Sequence, residues 1–218
     1  LNASGETLYL FNPAATKVLD AVRFEDQENG VSSGRYPDGA PAFYRLASPT
    51  FGAENAKPLV SPVVLNEILY NPISGNDDDE YVELHNRTGV GVSLAGWRLS
   101  GGIDYEFPIG ATIAANGYVV VANNRDRLLA NYPNLAANPG IVYGDYGGNL
   151  ANGGERIALS MPDDLIDIVG SFTVTNTIHV VVDEVTYRDG GRWGRWSDGG
   201  GSSLERIDPH SDARQAPN

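Results

Sequence analysis

Asn76-Asp77-Asp78-Asp79-Glu80 is the densest run of oxygen donors in the chain. Several carboxylates on a flexible turn suit Ca²⁺, which accepts oxygen ligands in adaptable geometry. Asp77, Asp78 and Asp79 are therefore the candidate metal ligands, and calcium is the one cofactor the sequence suggests. The run is not an EF-hand loop, because the required Gly and the distal Glu are missing. Extended backbone would turn Asp77 and Asp79 one way and Asp78 the other, so at most two or three can converge. A solvated turn between two strands is the alternative reading.

Other residue types invite other chemistry. Glu67, Glu80 and Glu83 form the only candidate acid/base set; a carboxylate pair can share that work if the two environments differ. Glu67 and Glu83 alternate with Ile68 and Leu84, which predicts that they face away from the core. The histidines, His85, His179 and His210, are scattered, with no His-x-x-His or His-Glu-x-x-His spacing for a metal. His85, beside Asn86, is read as a turn-capping polar residue. No Gly-x-Ser-x-Gly elbow is present, and Gly199-Gly200-Gly201 lacks the strand-then-helix setting of a phosphate loop. Arg192-Trp193-Gly194-Arg195-Trp196 could stack on sugars or cations. Trp193 and Arg192 are the ligand-surface candidates, and Trp196 is assigned a structural place.

These residues hang on short alternating runs punctuated by Asn, Gly and Pro. Strands are predicted near 63–70, 80–86, 96–100, 104–107, 117–122, 155–160, 179–187 and 203–207. One helix is predicted at Arg125 to Asn131, with Asn123 as its cap. Residues Asn134 to Asn149 read as a long loop. Trp97 is expected in the core between two sheets. There is no Cys, which excludes disulfides, thiolate metal sites and a Cys nucleophile. The net charge of −13 repels phosphate backbones and argues against a nucleic-acid partner. No apolar run reaches the roughly 18 residues of a membrane-spanning helix, so membrane insertion is not expected. The start Leu1-Asn2-Ala3-Ser4-Gly5 has neither an initiator Met nor a signal peptide, and is read as belonging to a mature or excised piece of a longer protein.

The chain also echoes itself. Leu1 to Leu10 matches Leu150 to Leu159, Asp20-Ala21-Val22-Arg23-Phe24 matches Asp183-Glu184-Val185-Thr186-Tyr187, and Gly34-Arg35-Tyr36-Pro37-Asp38-Gly39 matches Gly194-Arg195-Trp196-Ser197-Asp198-Gly199. Nothing in residues 1–57 matches the block from Leu65 to Asn123. The second copy carries an insertion around Leu165–Val180, either a private binding loop or a longer strand connection.

Asn66-Glu67-Ile68, Asn71-Pro72, Glu80 to Asn86, Leu94 to Trp97, Phe107-Pro108 with Ile113 to Val120, and Gly154-Glu155, taken in this order, resemble the lamin-tail domain family. The resemblance implies an all-β, immunoglobulin-like antiparallel β-sandwich with one short helix. It places a complete domain at 58–218. Residues 1–57 then form the C-terminal half of an upstream copy, with Ala53–Pro62 as linker. A half sandwich leaves one apolar face uncovered. Residues 1–57 are therefore expected to engage a protein partner or to self-associate, with pairing in trans favoured by the short linker; packing on residues 58–218, competition with residues 150–218 for the same front half, and a disordered or loosely packed segment are the alternatives. In bacteria such modules resemble non-catalytic parts of large secreted or surface proteins, so an extracellular or cell-surface place follows as an expectation. Two functions remain open: a non-enzymatic structural or interaction module, and a calcium- or carbohydrate-binding accessory module.

Overall fold

The computed structural model describes residues 1–2, 4–169 and 172–214. Their contacts divide into two compact units, Leu1–Val60 with Pro162–Val181, and Ser61–Met161 with Val182–Asn218.

The first unit begins with β1 (Glu6–Phe11) and β2 (Val18–Phe24), an antiparallel pair with Leu8 opposite Val22 and Leu10 opposite Asp20. Asn12 closes their turn. Its side-chain oxygen accepts from the amides of Thr16 (2.8 Å) and Lys17 (3.0 Å), the local bonding that makes Asn a turn residue. A second small pair follows, β3 (Ser33–Arg35) with β4 (Phe43–Arg45). The segment read as a linker carries hydrogen bonds within this unit. The Ala47 amide donates to Lys57 O (2.9 Å), the Leu59 amide to Arg45 O (2.7 Å), and Asn55 Nδ2 to Arg35 O (2.9 Å).

The second unit holds the sandwich. In chain order its elements are β5 (Val63–Leu69), β6 (Tyr81–Asn86), β7 (Val92–Ser93), β8 (Arg98–Gly101), β9 (Ile103–Glu106), β10 (Thr112–Ile113), β11 (Tyr118–Ala122), α1 (Arg125–Asn131), α2 (Pro133–Ala136), β12 (Val142–Tyr143), β13 (Gly147–Gly148), the first part of β14 (Arg156–Val169), the last part of β15 (Phe172–Thr186) and β16 (Leu204–Glu205). One five-stranded sheet runs β12-β11-β6-β5-β16 and the other β13-β9-β8-β14-β15. All pairs in them are antiparallel except β11 with β12. Their inner faces meet in one core that includes Val63, Leu65, Tyr70, Leu84, Trp97, Leu99, Phe107, Ile157, Leu159 and Tyr187. Trp97 is buried there, as expected for an aromatic between two sheets. The protein is thus an all-β, immunoglobulin-like sandwich with short helices.

Three elements differ from expectation. The helix cap is Asn124 rather than Asn123: the Asn124 side chain accepts from the Arg127 amide, three residues on. Residues 134–149, expected as loop, contain the end of α2, the short β12 and β13, and a 3₁₀ turn at Pro139–Ile141. Pro133 stands in the first turn of α2, where its missing N–H costs nothing. The insertion at Leu165–Val180 falls, in its described residues, on the far ends of β14 and β15, grouped with the first unit, while residues 170–171 lie outside the described residues. There the Asn29 amide donates to Asp163 Oδ2 (2.8 Å), Asn29 Nδ2 to Asp164 O (2.8 Å), and the His179 amide to Asp26 Oδ2 (3.1 Å). Asp26 thus meets the insertion at His179, and Asn29 meets β14 just before it, at Asp163 and Asp164.

Candidate interaction surface

The acidic turn is wound into a 3₁₀ turn, Asp77–Asp79, capped by the Asn76 side chain accepting from the Asp78 amide (3.0 Å). The carboxylates of Asp77 and Asp79 are engaged by neighbours. Arg127 donates twice to Asp79, from Nε (2.6 Å) and from a terminal nitrogen (2.8 Å), while Ser74 (2.6 Å) and Asn131 (2.8 Å) donate as well. The forked guanidinium matches a carboxylate in this way, and its hydrogen bonds hold Asp79 below the ordinary carboxylate range against the opposing effect of burial. Asn149 donates to Asp77 (2.9 Å). Among the described residues no three His, Cys, Asp or Glu side chains are grouped to hold a metal ion.

Glu80, next in line, is fully buried. Its Oε2 accepts from the Leu150 amide (2.9 Å), Tyr146 hydroxyl (3.0 Å) and Asn123 Nδ2 (3.4 Å), and its Oε1 is buried with no partner. Burial pushes its carboxyl above the ordinary value, and the hydrogen bonds offset this only in part. The group ties the turn to the loop that leads into β14. Sequence placed it beside a candidate metal site; its burial could be suspected only from its position immediately before a strand.

Glu67 and Glu83 are direct partners across β5 and β6, and Glu205 lies opposite Glu67 on β16. Both stay out of the core, as alternation predicted, but neither is fully exposed. Tyr81 donates to Glu67, and Asn66 Nδ2 donates to Glu83 (2.8 Å). Burial, then the nearby charges of Glu67 and Glu205, raise the Glu83 carboxyl. His85 stacks on Tyr118 at 4.4 Å between centroids, its Nδ1 3.2 Å from Gly117 O, so it braces a strand rather than capping a turn.

The two tryptophans of the Arg192-Trp193-Gly194-Arg195-Trp196 motif differ in exposure. Trp193 packs against the core and lines a small cleft with Leu65, Ile68, Val185, Leu204 and Ala213. Trp196 is 71% exposed. Arg192 is exposed at the mouth of that cleft. The repeat frame located an aromatic at Trp196 but carried no information on which way it turns.

The β1–β2 hairpin exposes apolar side chains along both strands. Leu8, Tyr9, Leu10, Phe11, Val18 and Leu19 are all exposed, and Tyr9 and Phe11 lie 6.2 Å apart on one face. The repeat makes this telling. Leu8 and Leu10 match Ile157 and Leu159, which are 0% exposed on β14, whereas Leu8 is 37% and Leu10 61% exposed. The strand starts agree closely in both places. The Asn2 amide donates to Glu6 (2.8 Å) and the Ala151 amide to Glu155 (2.6 Å). The Gly5 amide donates to Asn2 O (3.1 Å) and the Gly154 amide to Ala151 O (3.0 Å). The difference is what lies beside them. β14 has β8 on its other edge, and β1 pairs with no strand but β2 among the described residues.

No curated protein matches this chain. The model of the Lamin Tail Domain family matches residues 57–189, a span that contains the Asn66-Glu67-Ile68 opening, the buried Trp97 and the Gly154-Glu155 strand start. Two sheets closed over one core and this match together place the chain in the lamin tail domain family, an immunoglobulin-like module that is generally non-catalytic.

Proposed function

We propose that this chain is a non-catalytic interaction module, serving a larger secreted or surface protein of bacterial type, and that its β1–β2 hairpin is the surface through which it associates with other protein. The observation that carries the reading is the exposure of Leu8, Tyr9, Leu10, Phe11, Val18 and Leu19 on one hairpin, with Leu8 and Leu10 on one face and Tyr9 and Phe11 on the other. Exposed apolar patches of this kind mark association sites, and an isolated two-stranded hairpin is marginal until something covers it. The secreted or surface setting rests on the family resemblance rather than on the hairpin.

The test is a Leu8→Ser, Leu10→Ser double variant, followed by thermal melting and by light scattering over a range of concentrations. Surface side chains should leave stability within about 0.5 kcal/mol of the parent, and any association of the intact chain should weaken. A loss of about 2–5 kcal/mol, as for truncating buried leucines, would place these side chains in the interior and overturn the reading.

A further inference from the structure

We infer that the open edge of β1 is built to receive one particular kind of partner, an antiparallel strand of the β8 type supplied by the front half of another lamin-tail domain. The inference rests on the association surface proposed above and names what fills it. Its template lies within the chain. β14, the strand matched by β1, lies between β15 and β8. On the β15 side the match is close: the Tyr187 amide donates to Glu155 O (3.0 Å), and Phe24 stands opposite Glu6 in the hairpin. On the other side β8 meets β14 with Gly101 opposite Ile157, Ser100 opposite Ala158, Leu99 opposite Leu159 and Arg98 opposite Ser160. Transferred residue for residue, the register sets Gly101 against Leu8, Ser100 against Tyr9, Leu99 against Leu10 and Arg98 against Phe11.

Each pairing is chemically sound. Leu99 would cover Leu10 as it covers Leu159, and Arg98 would stand beside the Phe11 ring, where a guanidinium is attracted to the aromatic face. Gly101 leaves room for the close approach, since in the sandwich a side chain there would run into the backbone of Arg156. Charge also permits it. The hairpin from 6 to 24 carries Glu6 and Asp20 against Lys17 and Arg23. It therefore has no net charge to repel an incoming segment, although the whole chain stands at −13. Strand addition at an open edge gives affinity through main-chain bonds and specificity through alternate side chains.

The test uses the intact 218-residue chain and a synthetic peptide with the sequence of residues 94–106. Binding is followed by fluorescence anisotropy, and the site by amide hydrogen exchange. The expected result is saturable binding that slows exchange in residues 6–11. Binding should fall at least about tenfold with Leu8→Asp, Leu10→Asp in the chain, and likewise with Gly101→Val in the peptide. No saturable binding, unchanged binding by the Gly101→Val peptide, or protection of β14 in place of β1 would each overturn the inference. If the peptide fails while the intact chain self-associates through Leu8 and Leu10, the hairpin remains an association surface and only the identity of its partner falls. If the peptide fails and the serine variant melts like a core truncation, both fall.

Discussion

Gly5 and Gly154, matched positions 149 residues apart in the repeat, share one backbone conformation, with φ of +99° and +101°. In each the space a side chain would need is filled by the backbone of the neighbouring strand, at Phe24–Glu25 and at Tyr187–Arg188. Only glycine accepts both the positive φ and the close approach. Gly154→Ala should therefore destabilise the sandwich by at least about 1–2 kcal/mol, the scale of a left-handed penalty, and lower the melting temperature. Gly5→Ala should act on the hairpin instead. Exchange of the β1 and β2 amides should accelerate while the sandwich amides keep their protection. Equal loss of protection in both places would count against this division.

Adjacent carboxylates should impose opposite pH dependences. Asp79 is held below its ordinary value by Arg127, so its contribution is present above the ordinary carboxylate pKa and is lost as pH falls through the depressed one. Glu80 is raised by burial, so its contribution is present below the ordinary value and is lost as pH rises through the raised one. Arg127→Ala should lower the melting temperature at neutral pH and converge with the parent in acid. Glu80→Gln should flatten the decline above the ordinary carboxylate range. Glu80→Ala, which orphans the Leu150 amide and Tyr146 hydroxyl, should cost about 2–4 kcal/mol. Parallel pH profiles for the parent and both Arg127→Ala and Glu80→Gln would sink this account.

Calcium at about millimolar concentration, the range of weak extracellular sites, should neither release heat nor shift the melting temperature. Asp79 is engaged by Arg127, Ser74 and Asn131, and Asp77 by Asn149. A metal would have to displace these donors. A calcium-induced shift that disappears in Asp79→Asn would overturn the expectation.

The tryptophans separate by solvent access. Trp196→Phe should remove most of the emission quenched by iodide and leave stability nearly unchanged, because the ring is largely in water. Trp193→Ala should lower stability through lost packing against the core. If Trp193 proves the more readily quenched, the structure around the cleft is misassigned.

What could be read in advance follows from range of interaction. Alternation along Tyr81–Asn86 and the continuous apolar run Tyr118–Ala122 are local patterns, and they located both strands. The cap at Asn124 was missed by one residue because Asn123 and Asn124 are chemically alike and only the bond to the Arg127 amide separates them. The grip of Arg127 on Asp79 spans 48 residues of sequence, and Asn149 reaches Asp77 across 72. Nothing local to the acidic turn announces either. The turn therefore read as either solvated or a set of open ligands, with no sign of the donors that reach Asp79 and Asp77. The exposed hairpin is the converse case. Leu8 and Leu10 have the residue types of a buried strand, and only comparison with Ile157 and Leu159 reveals what is missing beside them.

β5 contains one residue more than its ladder with β6 requires: Leu65 stands opposite Leu84 and Glu67 opposite Glu83, leaving Asn66 outside the count. Val63 and Leu65 before it, and Ile68 and Tyr70 after it, all reach the core. Counting in twos from Val63 would turn Glu67 inward, and the extra residue restores the phase. Asn66 is thus the one place in the strand where the reading frame of the fold has slack. Deleting it would cost its bonds to Glu83 and to the Arg206 amide, but would leave every side chain on its present face. Deletion of Val64 together with Asn66, by contrast, would throw Val63 out of phase with Leu65 and turn part of the strand inside out.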